Sequence, residues 1–154
     1  MISFHCESIT LKCEEACYTA SLGIVHAPFC VLLEKVNCFL HPYELAYYKN
    51  LKYEKKQHSY LLGRYAGKHT LQHYFPNNHL ESVFISPGVF HFPVVRGLSE
   101  NVQISLTHTQ PLSAALIFPE EHPMGIDLEL IDQEQTTAIQ SQLTPHELSL
   151  FEKR

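Results

Sequence analysis

The alternation of apolar and polar residues changes period several times along the chain. Two short alternating pieces, around Ile2–Ile9 and Ala20–Val25, predict strands. The apolar run FCVLLEKV, Phe29 to Val36, also reads as a strand. His41-Pro42 then punctuates, and Tyr43 to Asn50 predicts a helix that starts just after the proline. A longer helix follows, roughly Glu54 to Phe75. Its positions Leu61, Leu62, Tyr65, Ala66 and Leu71 form an i, i+3, i+4 stripe. Pro76-Asn77-Asn78 ends it.

From Leu80 onward the pattern becomes strand-like. Val83–Ile85 predicts a short strand, Ser86-Pro87-Gly88 a turn, and Phe90–Val95 an edge strand or loop because it contains Pro93. Three further strands are predicted at Val102–Thr107, Ser113–Phe118 and Met124–Ile131, with turns at Thr109-Gln110-Pro111 and Pro119–Pro123. Thr144-Pro145-His146-Glu147 opens a last helix: Thr144 is the cap, Pro145 the first helical residue and Glu147 the third. The expected fold class is α+β, an antiparallel meander on the long helix.

Composition narrows the class. The 154 residues suffice for one domain with a core, and no run of about 18 apolar residues predicts a membrane span. The N-terminal stretch has no apolar signal region. All five cysteines fall in the first 38 residues. An odd count without an export signal predicts reduced, buried thiols in a cytoplasmic protein. A zinc site built on Cys13-x3-Cys17 lacks a matched downstream pair. Net charge is −5, which argues against a general nucleic-acid binder. Yet six of the eleven Lys and Arg residues lie between Lys49 and Lys68, either a local anion site or a solvated helix face.

Three constellations carry candidate chemistry. In MGIDLELI, Met124 to Ile131, Asp127 and Glu129 sit at i and i+2 of a predicted strand. They share one face, with Cα atoms roughly 6.5–7 Å apart. Two such carboxylates repel unless a cation lies between them, and Mg²⁺ is the natural occupant. A strand with one solvated face is the alternative. In Ser105-Leu106-Thr107-His108-Thr109, a histidine between hydroxyls can hold an anion, or it is a turn histidine without a role. In the helix, Gly63 and Gly67 lie four apart beside Arg64 and Lys68; close packing explains them first, room for a ligand second.

The order LLGRYAGK, SLTHT, GIDLE resembles the 4′-phosphopantetheinyl transferase superfamily in its monomeric, surfactin-synthetase-activating type. The resemblance runs from about Pro42 to Leu150. GIDLE matches fully, SLTHT has threonines for serines, and the helix matches more loosely. It implies a phosphopantetheinyl transferase-like lobe, coenzyme A as substrate, and Mg²⁺ or Mn²⁺ as the metal. The reaction it implies moves the phosphopantetheine arm onto a serine of an acyl or peptidyl carrier protein, in lipid or secondary-metabolite biosynthesis, and releases 3′,5′-ADP. By position, Asp127 and Glu129 would hold the metal, and Thr107 and His108 would meet coenzyme A phosphates. Lys49, Lys52, Lys56, and Arg64 or Lys68 would add phosphate charge. His58, Ser59 and Tyr60 align with a helix start on the adenine side.

Two departures stand against the family pattern. Where a G-K-P run is usual, the chain reads Pro87-Gly88-Val89-Phe90-His91-Phe92-Pro93, leaving His91 or Arg96 as substitutes. The W-x-x-K-E segment, which carries a third carboxylate, does not occur before Arg154. The expectation is a first lobe over residues 1–135 and the start of a second over 136–154. Such a piece would be weakly active or inactive alone and prone to self-association through its open face. The competing functions are a non-catalytic module that binds coenzyme A or a carrier protein, and a plain soluble domain.

Overall fold

The computed structural model describes residues 1–12, 14 and 16–151. The N-terminal alternation extends further than expected, into a hairpin of β1 (Ser3–Lys12) and β2 (Cys17–His26). Phe29 to Val36 is not a strand. It belongs to helix α1 (Phe29–Phe39), and Phe29, Leu32, Val36 and Phe39 recur at helical spacing on the core side. A short apolar run satisfies both periods, and here the helical one prevails.

Helix α2 (Pro42–Lys49) starts at the expected proline, with His41 as its cap. Helix α3 (Glu54–Tyr74) is the long one. Strands β3 (Phe84–Pro87) and β4 (Pro93–Arg96) form a separate two-stranded ribbon. Strands β5 (Val102–Thr109) and β6 (Leu112–Pro119) complete the main sheet. Helices α4 (Gln133–Gln142) and α5 (Pro145–Phe151) follow. The predicted cap of α5 is present: Thr144 N–H donates to Glu147 Oε2 at 2.8 Å, and Glu147 N–H to Thr144 Oγ1 at 3.4 Å.

The main sheet is antiparallel but not a simple meander. Its order is β1-β2-β6-β5, so the N-terminal hairpin joins through β2 and β6. Helix α3 covers one face, where Val25, Ala115, Ile117 and Ile104 meet Leu61, Leu62, Ala66 and Leu71. Leu61 and Leu62 are wholly buried, each worth about 1.5–3 kcal/mol of transfer free energy. The opposite face carries a smaller cluster of Ala20, Leu116 and Phe118.

The segment 124–131 is not a strand of the sheet. Met124 and Ile126 pack on that smaller cluster. The amides of Ile126 and Leu128 donate to the side-chain hydroxyls of Ser105 (3.2 Å) and Thr107 (3.1 Å). Exposure still alternates along the segment, with Asp127 and Glu129 outward. The period-two reading was right; the backbone pairing it implied was not, because hydroxyls take the place of carbonyls.

The thiols also differ from expectation. Cys17, Cys30 and Cys38 are exposed and Cys6 is half-buried, all four unpaired; Cys13 lies outside the described residues. Among the described residues no helix is long and apolar enough to cross a membrane.

One half-buried histidine makes the fold acid-sensitive. His69 lies 4.0 Å from the Tyr65 ring centroid and 5.6 Å from that of Phe4. Burial, helped by the charge of Lys35, pushes its imidazole down to about 4. Between the unfolded value near 6.5 and that point, the unfolded chain takes up a proton that the folded chain refuses. Stability is therefore lost as pH falls through this window. Urea unfolding at pH 7 and pH 4.5 should show His69→Phe losing less stability on acidification than the unaltered chain.

Candidate active site

A cleft of about 760 Å³ opens between α2, α3, the β3–β4 ribbon and the end of β5. Two glycines of α3 differ in what lies in front of them. At Gly67 a Cβ would come within 2.8 Å of Ile85 Cδ1 and 3.0 Å of Ile104 Cδ1, so this glycine serves close packing. One turn earlier, Gly63 has nothing within 4 Å of the same imagined atom, although the residue is buried and lines the cleft.

The cleft wall is aromatic and cationic. Tyr43 and Tyr47 project from α2, Ser59, Tyr60 and Arg64 from α3, Phe84 from β3 and His108 from β5. The Arg64 guanidinium carbon lies 4.5 Å from the Tyr60 ring centroid, a cation–π contact. Burial raises the Tyr60 phenol to about 12, and its hydroxyl donates to the Glu44 carbonyl at 3.3 Å. It therefore stays a neutral donor. His108 is exposed toward the cleft and, among the described residues, makes no side-chain hydrogen bond.

Beneath the wall lies Glu44, a residue that the sequence reading passed over. It is 3% exposed. Its carboxylate accepts from His41 N–H at 3.0 Å and Ile85 N–H at 2.8 Å, joining α2 to β3. It also pairs with Lys68 at 2.6 Å and with Arg64 Nε at 3.3 Å. Two signals could have exposed it: a His-Pro-Tyr-Glu run with Glu at the third helical position, and a lysine on the apolar stripe of α3 that needs a buried counter-charge.

Lys68 is accordingly not available as phosphate charge. Its ammonium is buried and gives its three protons to Glu44, the Phe39 carbonyl (2.6 Å) and the Leu80 carbonyl (2.9 Å). Desolvation lowers its pKa, with Glu44 opposing. Lys49 also stands apart, lining a separate hollow with Glu81. Lys52 and Lys56 are exposed; Lys56 lies one helical turn before Ser59 and Tyr60, near the Tyr53 ring at 5.7 Å. His58 donates to the Ala27 carbonyl at 3.1 Å and tilts against Phe29, which makes it a packing residue. Ser59 faces the cleft, its hydroxyl accepting from the Gln110 side chain at 3.0 Å.

Thr107 and His108 are neighbours on β5 and therefore point to opposite faces. His108 enters the cleft. The Thr107 hydroxyl instead donates to Asp127 Oδ1 at 3.0 Å and accepts from Leu128 N–H. It orients the carboxylate. Asp127 and Glu129 are both exposed. Among the described residues no group of three or more His, Cys, Asp or Glu side chains gathers around a metal position. The pair still suits a hard cation that completes its shell with water and phosphate oxygens.

The segment replacing the G-K-P run makes a 3-10 turn, Val89–His91, with Phe90 in the left-handed region at φ 58°. Val89, Phe90 and Phe92 are exposed, and Pro87 and Pro93 at its base line the cleft. Arg96, named as a substitute for the missing lysine, ends β4 and is exposed.

No family model matches the chain, and no curated protein does. Solved structures do. A holo-(acyl-carrier-protein) synthase from Bacillus anthracis str. Ames, in complex with CoA (3′,5′-ADP), superposes with a TM-score of 0.52 at 16% identity. The match covers 63% of this chain and 92% of that one. A holo-ACP-synthase from Plasmodium yoelii gives a TM-score of 0.49 at 16% identity, over 58% of this chain and 82% of that one. The first likeness establishes the fold: the α+β arrangement of an antiparallel sheet on a long helix is that of a holo-ACP synthase.

Proposed function

We propose that this chain binds coenzyme A in the cleft and acts as a 4′-phosphopantetheinyl transferase toward an acyl or peptidyl carrier protein. One observation carries the proposal: consecutive residues of β5 reach the cleft and Asp127, and would serve the cofactor and metal halves of such a site. His108 lines the aromatic, cationic cleft, and Thr107 fixes Asp127 on the other side. The fold shared with a holo-ACP synthase supports the same reading.

The chemistry asks for positioning and charge neutralisation more than for a covalent role of the protein. Arg64 offers a forked donor toward phosphate, His108 and Ser59 add neighbouring polar contacts, and Tyr43, Tyr47 and Phe84 offer flat surfaces to a base. Asp127 and Glu129 would hold Mg²⁺. When bound, such an ion neutralises pyrophosphate charge and favours departure of 3′,5′-ADP. The exposed Lys52, Lys55 and Lys56 would steer an acidic carrier protein toward the cleft.

Incubation with coenzyme A, Mg²⁺ and an apo carrier protein tests the reading by mass spectrometry. The expected result is a carrier heavier by the phosphopantetheine arm, with transfer lost in Asp127→Ala. Mg²⁺-dependent coenzyme A binding without transfer would instead establish the non-catalytic reading. Absence of both would remove the two readings together.

A further inference from the structure

We propose that Gly63 sets the depth of the cleft and thereby the size of the group that can rest on its floor. The inference deepens the coenzyme A reading and rests on it. Gly63 and Gly67 lie one turn apart on the same side of α3, yet only Gly67 is needed for packing: a Cβ there meets Ile85, Ile104 and Leu106. At Gly63 the same atom meets nothing within 4 Å, in a residue that is nonetheless buried. Buried backbone with open space before it is the floor of a recess.

Nothing in the fold accounts for a glycine at this position. It sits nine residues into a 21-residue helix, where glycine is among the poorest helix formers and where alanine would fit without a clash. The interior amides of α3 are spent on the helix, so the floor offers contact rather than hydrogen bonds. Its rim is Tyr60 and Arg64 on the same helix and Leu106 and His108 on β5. A flat or slender group can lie against such a floor while its phosphates reach Arg64. Any longer side chain at 63 would project into that space.

The test sets stability against binding. Gly63→Ala should melt about 2–4 °C higher than the unaltered chain, because helix propensity improves, while binding 3′,5′-ADP a few-fold more weakly by calorimetry. Gly63→Leu should keep its helical circular dichroism and melt no lower than the unaltered chain, yet bind 3′,5′-ADP at least tenfold more weakly. If the unaltered chain binds 3′,5′-ADP and Gly63→Leu binds it equally well, the inference is wrong and the coenzyme A reading survives. Failure of the unaltered chain to bind 3′,5′-ADP overturns both. A Gly63→Ala chain that melts lower shows a packing role and overturns the inference.

Discussion

Glu44→Ala is expected to cost about 3–5 kcal/mol, most of the stability of an ordinary small domain. The loss would appear as a collapse of the urea midpoint. The reason is not the removal of one attractive pair. Glu44 is the common acceptor of two amides, the part-buried one of His41 and the buried one of Ile85, and the counter-charge of Lys68. Alanine leaves the ammonium of a fully buried lysine with two carbonyls and no opposite charge, and it detaches α2 from β3. Adding Lys68→Met to Glu44→Gln should recover stability relative to Glu44→Gln alone. The uncompensated charge is then gone, and an amide oxygen can still accept from one of the two N–H groups. A Glu44→Ala chain within 1 kcal/mol of the original would show that the carboxylate does not hold these elements together.

The same carboxylate explains what was legible in the sequence and what was not. Elements announced by period or punctuation were readable: α3 from its stripe, α2 from His41-Pro42, α5 from Thr144 and Glu147, β5 from alternation and β6 from an apolar run between turns. Phe29 to Val36 reads as a strand because a short apolar run fits a helix as well as a strand. The segment 124–131 was misread because alternation reports which side chains are buried, not what the amides bond to; Ser105 and Thr107 hydroxyls stand where a neighbouring strand would be.

In the candidate site, the residue types are legible in the sequence and the directions of their side chains are not. Thr107 and His108 look like one motif in sequence, and a strand sends them to opposite faces. Arg64 and Lys68 look like one basic patch, four residues apart on a helix. A modest difference in direction puts one guanidinium at the cleft and one ammonium in the core. Charge counting cannot separate them, whereas the apolar stripe around Lys68 could have.

That separation yields the sharper functional prediction. Arg64→Met should weaken 3′,5′-ADP binding by roughly 10- to 100-fold, the scale of a lost charge-assisted contact to phosphate, and change stability by no more than about 1 kcal/mol. Glu44 keeps Lys68 and both amides in that variant, so the buried network survives. Lys68→Met should do the reverse. It strands the Phe39 and Leu80 carbonyls and deprives Glu44 of its shortest contact, costing about 3 kcal/mol. Binding, measured well below the melting temperature, should stay within about threefold because the lysine does not line the cleft. Arg64→Lys should fall between: the charge remains, but the planar fork and its contact with Tyr60 do not. Calorimetry and urea unfolding on the three variants decide the assignment. Lost binding in a stable Lys68→Met chain, beside unchanged binding in Arg64→Met, would exchange the two roles. Two cations on one carboxylate would then divide the work in the other sense, with the buried one sensed by the ligand through Glu44.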